Sequence, residues 1–275
     1  MMKIRCIALD LDGTTLNRQG KLSKRNREAL EQAAAEGICI AVASGRSYDS
    51  LPAEVLSVPG VRYAITSNGA AVCDLKTGAR LMRRRMTQKS AEEILAQTAE
   101  YDVPFEAFVD GKPYAQREYV EDPVRFGASP RAIGYIQGTR EPVEDMREFI
   151  RQHKNELDSI DVVAKSEPLK KELWIKIAEN VSDVYLTSSV PQLLEIAHKD
   201  AGKENAALFL LEHLGLKREE LAAFGDAHND IGLLKLAGIG FAVANASPDC
   251  RAAADRIVSS NEEDGVAEGI FRILE

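Results

Sequence analysis

The sequence predicts an α/β fold: a parallel-sheet core with crossover helices, split by an inserted α+β domain. Three observations carry this. Residues 1–83 alternate short apolar runs with helical segments. Residues 199–275 repeat that alternation. Between them, residues 84–198 break the pattern with a hairpin signal and several strand-like runs. Alternating strand and helix implies parallel strands joined by crossover helices, whereas a tight hairpin forces an antiparallel pair.

The first strand is the apolar run from Ile4 to Leu9, which ends in Asp10-Leu11-Asp12-Gly13-Thr14. A run this short, bounded by a turn signal, reads as a strand buried on both faces. Ser23 is placed to cap a helix to Glu36, with Leu22, Ala29, Leu30 and Ala33 on its apolar side and Gly37 as its stop. Ile38–Ala43 is the second strand, Tyr48–Leu56 a weaker helix, and Tyr63–Thr66 a third strand. In the tail, Lys203–Leu214 is a helix with Leu208, Leu211 and Leu214 on one side. Leu221–Phe224, Ile239–Val243 and Arg256–Val258 read as strands, with a helix over Ile231–Ala237 stopped by Gly238.

In the insert, Phe105–Val109 and Lys112–Gln116 flank Asp110-Gly111, the pair that suits a two-residue hairpin turn. A helix is expected to start near Pro142, a residue favoured at the first helical position. Ile160–Ala164, Asp183–Ser188 and Leu193–Ala197 read as strands. Leu173-Trp174-Ile175 is β-prone, but the spacing of Leu169, Leu173 and Ile177 makes Pro168–Asn180 a helix.

Composition narrows the function. The 275 residues carry a net charge of −8, which argues against nucleic acid or an anionic membrane as partner. Arg83-Arg84-Arg85 is too short a basic cluster to overturn that. The four cysteines are scattered without a Cys-x-x-Cys pair, as in a reducing compartment. No apolar stretch reaches the ~18 residues of a membrane span, and no leader pattern precedes the first strand. The expected location is the cytoplasm.

Candidate chemical groups recur at the carboxyl ends of the predicted core strands, the edge at which open parallel sheets bind ligands. Asp10 and Asp12 follow the first strand, Ser44-Gly45-Arg46 the second, and Ser67-Asn68-Gly69 the third. Gly225-Asp226-Ala227-His228-Asn229-Asp230 and Asn245 follow two strands of the tail. Residues i and i+2 on extended backbone point the same way, so Asp10 and Asp12 are expected to converge. Two such carboxylates can hold a divalent cation, or act as nucleophile and acid/base. Asp226 brings a third carboxylate, one helical turn before Asp230. An all-oxygen donor set suits a hard cation, Mg²⁺ above all. Ser44, Gly45 and Arg46 are expected to open a helix whose free N–H groups suit an anion. Lys203 lies in the first turn of its helix, where a bound anion would offset the unfavourable helix dipole. The four histidines form no set, although His228 could face a substrate, and neither a Ser-His-Asp arrangement nor a P-loop is visible.

These residues resemble, in order, the four motifs of the haloacid dehalogenase superfamily: Asp10-Leu11-Asp12-Gly13-Thr14, Ser44, Lys203, and Gly225-Asp226 through Asp230. Ser67-Asn68-Gly69-Ala70, Leu194-Glu195-Ile196 and the segment Asn261 to Ala267 resemble its Cof-type, sugar-phosphatase-like branch. The resemblance implies a Rossmann-like core, residues 1–83 plus 199–275, and a type-two cap, residues 84–198, acting as a substrate lid. It implies a Mg²⁺-dependent phosphatase acting on small phosphorylated metabolites through an aspartyl phosphate. Asp10 would be the nucleophile, and Asp12 the acid/base with its backbone carbonyl on the metal. Ser44 and Lys203 would hold the phosphoryl oxygens, with Gly45, Asn68 and Asn229 beside the phosphate. Asp226 would be a metal ligand and Asp230 would orient these groups from behind. The chain departs from the family pattern at Gly202-Lys203-Glu204, where Asn/Ser-Lys-Gly is usual, at His228, and in the late segment Gly240 to Ala246. Glu204 follows the lysine where glycine is usual and is expected to point outward, and His228 replaces an acidic or small residue. A phosphomutase would share every catalytic residue, and a phosphosugar-binding regulator would keep the site without turnover. A dehalogenase would have little use for Asp12, having no leaving alkoxide to protonate.

Overall fold

The computed structural model describes residues 3–275. The chain divides into two compact units. One comprises residues up to Arg46, Leu51–Met82 and Gly202–Glu275; the other comprises Ser47–Ser50 and Arg83–Ala201.

The first unit is built on β1 (Cys6–Leu9), β2 (Cys39–Ala43), β3 (Val61–Thr66), β4 (Ala71–Asp74) and β5 (Arg80–Arg83), joined after the second unit by β12 (Leu221–Gly225), β13 (Ile239–Val243) and β14 (Arg256–Val258). They form one sheet in the order β14-β13-β12-β1-β2-β3-β4-β5. The run from β14 to β3 is parallel, and β4 turns back antiparallel on β3. β1 is buried along its whole length, as its unbroken apolar run requires. Ser23 caps the helix Lys24–Ala35 by accepting from the Asn26 N–H, and Ala29, Leu30 and Ala33 are buried beneath it.

The second unit holds β6 (Phe105–Val109), β7 (Lys112–Gln116), β8 (Glu141–Val143), β9 (Leu157–Val163), β10 (Val184–Thr187) and β11 (Leu193–His198), ordered β10-β11-β9-β6-β7-β8. The β6–β7 hairpin turns on Asp110 and Gly111, both at positive φ (51° and 84°), as its sequence demanded. One sheet face carries Phe105, Ala107, Ile160, Val162, Leu194 and Ile196. It packs on the helices Gln88–Gln97, Met146–Gln152 and Glu167–Asn180, the last burying Leu173 and Ile177. The other face packs Ala115, Val163 and Leu193 on Tyr119, Val120 and Ile136 of two shorter helices.

Several expectations are corrected. Pro142 does not open a helix. It lies on β8, the edge strand, where a missing N–H costs little, and the next helix starts after Asp145, which caps the Glu148 N–H. Gly45 and Arg46 open no helix either, since a bend leads to a short 3₁₀ turn at Tyr48–Ser50. Pro52 then confines the following helix to Ala53–Leu56. Leu208 is exposed, and Ala206, Ala207, Leu210 and Leu211 form the buried side of its helix. β4 and β5 were not anticipated, being four-residue strands defined by their sheet neighbours rather than by an apolar run.

Candidate active site

β1 ends at Leu9, and the Asp10 N–H still donates to the Phe224 carbonyl of β12, at 3.1 Å. Beyond it the chain turns sharply. The N–H groups of Thr14, Thr15 and Leu16 all donate to the Leu11 carbonyl, and the Thr15 hydroxyl donates to the Asp10 carbonyl at 2.5 Å. Gly13 sits at φ 82°, and a Cβ there would lie 2.7 Å from Asp226 Oδ2. Glycine is therefore required twice, for the backbone angle and for the approach of the carboxylate. The neighbouring Thr14 hydroxyl donates to Asp226 Oδ1 at 2.8 Å.

Asp10, Asp226 and Asp230 bring carboxylate oxygens within 4.8 Å of one another. Lys203, 0 % exposed, reaches into this cluster from the first position of its helix. Its Nζ lies 2.6 Å from Asp10 Oδ1 and 2.6 Å from Asp230 Oδ1. Asp230 Oδ2 accepts the N–H groups of Asp226 and Ala227, at 3.0 and 3.1 Å. Both Asp230 oxygens are thus engaged by protein donors, leaving Asp10 and Asp226 as the carboxylates with open coordination capacity.

The electrostatics are those of crowded, dehydrated acids. Burial, opposed by Lys203 and reinforced by Asp230 and Asp226, holds the Asp10 carboxyl well above the ordinary range. Burial and then Asp230 push Asp226 up to about 7. Burial alone would pull the Lys203 ammonium down, but Asp10 and Asp230 outweigh it and raise it. Three carboxylates against one ammonium leave an excess of negative charge, and every candidate donor is oxygen. That set fits a hard divalent cation held by Asp10 and Asp226.

Asp12 departs from its expected position. Its side chain is turned away from the cluster, 53 % exposed, and gripped by both ends of the Arg46 guanidinium. Nε lies 2.7 Å from Oδ2 and Nη2 lies 2.6 Å from Oδ1. The alternation rule fails because the strand has already ended at Leu9. The pairing of Arg46 with Asp12 was not read from the sequence, which offered only a strand-end Ser-Gly-Arg. Ser44 is buried, with its hydroxyl accepting the Arg46 N–H at 3.1 Å, and Gly45 forms the bend between them.

Asn229 donates through Nδ2 to Asn68 Oδ1 at 3.0 Å, so these two expected site residues meet. The other end of the Asn229 amide is buried without a protein partner. His228 is exposed. Glu204 does not point outward. Its carboxylate folds back against two glycines, so that a Cβ on Gly232 would lie 2.5 Å from its Cδ, and burial raises its pKa. The late asparagines hold the Asp10–Leu16 turn. Asn245 donates to the Gly13 carbonyl at 2.8 Å and accepts the Asn261 N–H at 2.9 Å, while the Asn261 amide donates to the Leu16 carbonyl at 2.9 Å.

A family model described as haloacid dehalogenase-like hydrolase matches residues 7–270. Among curated proteins, the chain is 29% identical over 288 residues to Phosphatase YwpJ of Bacillus subtilis, covering 98% of this chain and 100% of that one. It is 27% identical over 301 residues to the 5-amino-6-(5-phospho-D-ribitylamino)uracil phosphatase YwtE of the same organism, covering 98% of each. A solved haloacid dehalogenase-like hydrolase from B. subtilis superposes with a TM-score of 0.85 at 27% identity, covering 98% of this chain and 99% of that one.

Proposed function

The chain belongs to the haloacid dehalogenase-like hydrolases and is an enzyme of their phosphatase kind, and from that premise we propose that it hydrolyses small phosphorylated metabolites of the sugar-phosphate type, using Mg²⁺ and an aspartyl phosphate on Asp10. The observation that carries the reading is the buried contact of Lys203 with Asp10, at 2.6 Å, inside a three-carboxylate cluster. Packing alone gains little from such a convergence, whereas phosphoryl transfer needs a placed nucleophile amid neutralising charge. The ribityl phosphate named for one relative supports the substrate class.

When bound, Mg²⁺ would be held by Asp10, Asp226 and the Asp12 backbone carbonyl, and it supplies neutralisation of the phosphoryl charge. An Asp10 carboxylate oxygen attacks phosphorus, and the ester P–O bond breaks. The leaving oxygen takes its electron pair and a proton from Asp12, which exchanges Arg46 for that oxygen. Water then attacks the aspartyl phosphate and gives its proton to Asp12, releasing inorganic phosphate and the Asp10 carboxylate. Lys203 and Ser44 steady the phosphoryl oxygens, and Asp230 holds Lys203 in place. The second unit is assigned the reading of the leaving group. Among the described residues no helix is long and apolar enough to cross a membrane, and none of the four cysteines is in a disulfide. A reducing cytoplasm suits those thiols.

Phosphate release from p-nitrophenyl phosphate and from a panel of sugar phosphates tests the proposal. Activity is expected to vanish in EDTA, return with Mg²⁺ and return poorly with Ca²⁺, whose looser coordination disturbs in-line geometry. Full turnover in chelator would overturn the metal assignment. Turnover that requires an added sugar bisphosphate would identify a mutase instead.

A further inference from the structure

Ser67, Asn68 and Gly69 stand one after another in the left-handed backbone region, at φ 48°, 51° and 91°. That conformation is unfavourable for any residue with a Cβ, and it persists only where the surroundings over-determine it. Here they do. The Ser67 N–H donates to the Arg46 carbonyl at 2.9 Å, and the Asn68 N–H to the Ser44 carbonyl at 3.2 Å. The Gly202 N–H donates to the Asn68 carbonyl at 2.8 Å. Gly69 lies so close that a Cβ would stand 2.2 Å from the Gly202 oxygen. The Asn68 side chain accepts from Asn229 Nδ2. One turn therefore grips three loops, carrying Ser44, Lys203 and Asn229, that lie far apart along the chain. Asparagine suits the place because it tolerates the left-handed backbone while offering a side-chain acceptor.

We propose that Asn68 is a positioning residue: through its carbonyl, N–H and amide oxygen it fastens the loops of Lys203, Ser44 and Asn229 to one another, and does not itself bind the phosphoryl group. This rests on the phosphatase reading and sharpens it, since Asn68 was expected beside the phosphate as a ligand. The amide oxygen of Asn68 is committed to Asn229, whose own Oδ1 is buried and has no protein partner. The Asn229 oxygen left over is an acceptor, suited to a ligand's donor group or to a cation rather than to a phosphoryl oxygen.

Three variants test this: Asn68→Gly, which keeps the left-handed backbone and removes the amide; Asn68→Asp, which keeps an acceptor for Asn229; and Asn229→Ala, alone and with Asn68→Gly. Asn68→Gly is expected to lower kcat by about 10- to 100-fold with a smaller change in KM, the effect of misplacing rather than deleting a group. Asn68→Asp is expected to recover most of that loss, and the double variant to fall no further than Asn229→Ala alone. Losses that multiply in the double variant would overturn the proposal. So would an Asn68→Asp enzyme with weaker inhibition by inorganic phosphate than Asn68→Gly, because that marks a carboxylate repelling a directly bound anion. Amide hydrogen exchange of residues 226–230, read without substrate, is expected to quicken in Asn68→Gly, and unchanged exchange would count against the proposal. A wild-type enzyme inactive on every phosphate ester would sink the phosphatase reading while the exchange result still decides the fastening role. If Asn68→Gly does not fold, hydrogen exchange of residues 226–230 in Asn229→Ala, which removes the same side-chain bond from its other end, decides it: quicker exchange is expected, and unchanged exchange would count against the proposal.

Discussion

In the first unit Asp10, Asp226 and Asp230 cluster around Lys203; in the second, Glu106, Asp161 and Glu195 line up across a sheet, with Arg140 on Glu106. The ingredients are similar, three carboxylates (all buried but the half-buried Asp226) and one buried cationic side chain, but the arrangements differ. Glu106, Asp161 and Glu195 sit opposite one another in register across β6, β9 and β11, spread along a row. Arg140 forks onto Glu106, with Nε at 2.7 Å and Nη2 at 3.3 Å, and Ser189 donates its hydroxyl and N–H to Glu195. Between them, burial and then Glu195 and Glu106 hold the Asp161 carboxyl well above the ordinary range. The core acids instead come from two loops to a single point, and Lys203 answers two of the three. Of the acids strung across strands the outer two meet local donors and the middle one is held toward its neutral form, whereas acids aimed at one point leave an excess of negative charge that a cation can answer.

The largest expected effects break the convergent cluster. Asp10→Asn removes the proposed nucleophile and is expected to abolish turnover and never to label with phosphate. Asp12→Asn keeps the backbone carbonyl and leaves Asp10 intact, and is expected to lose roughly 10²–10⁴ in rate. It should accumulate a phosphoenzyme released by hydroxylamine, read by quenching with labelled substrate; a hydroxylamine-sensitive species in Asp10→Asn would remove Asp10 from its role. On the other side of the comparison, Arg140→Met strands a buried Glu106 and is expected to cost about 3–5 kcal/mol of stability in urea unfolding. Adding Glu106→Leu should recover much of that, because the pair is then replaced by apolar volume. Equal losses in the single and double variants would mean that Arg140 matters by packing alone.

The smallest effect is a slope. Asp161 has a folded-state pKa above its unfolded value, so the native state binds this proton more tightly. Its contribution to stability is full below the unfolded carboxylate range and is lost as pH rises toward the folded value. Asp161→Asn cannot lose it. Melting temperatures should therefore match best at acid pH, with the variant gaining on wild type as pH rises, and parallel curves would contradict the raised pKa.

Much of the first unit was legible because its strands are continuous apolar runs followed by polar strand ends, and Asp10, Lys203, Asp226 and Asp230 meet where that pattern placed them. Asp12 was misread because the two-residue alternation was carried past Leu9, where the backbone already turns. Arg46 and Asn68 were partly hidden because their partners, Asp12 and Asn229, are fixed by loops rather than by any local period. The row of acids in the second unit was not legible at all. Each of Glu106, Asp161 and Glu195 looks like an isolated polar residue in a strand, and only the register of three antiparallel strands aligns them.

The position of β1 has a consequence in time. It lies between β12 and β2, with Cys6 opposite Leu221 on one side and Cys39 on the other. Asn245 and Asn261 then pin the turn that follows it. During synthesis β1 leaves the ribosome long before β12, Asn245 or Asn261 exists. Asp10 is thus made well before the residues that frame it. Until the distal segment arrives, a growing chain carries Asp10 on a strand missing one neighbour, and that strand must be kept from wrong pairings while it waits.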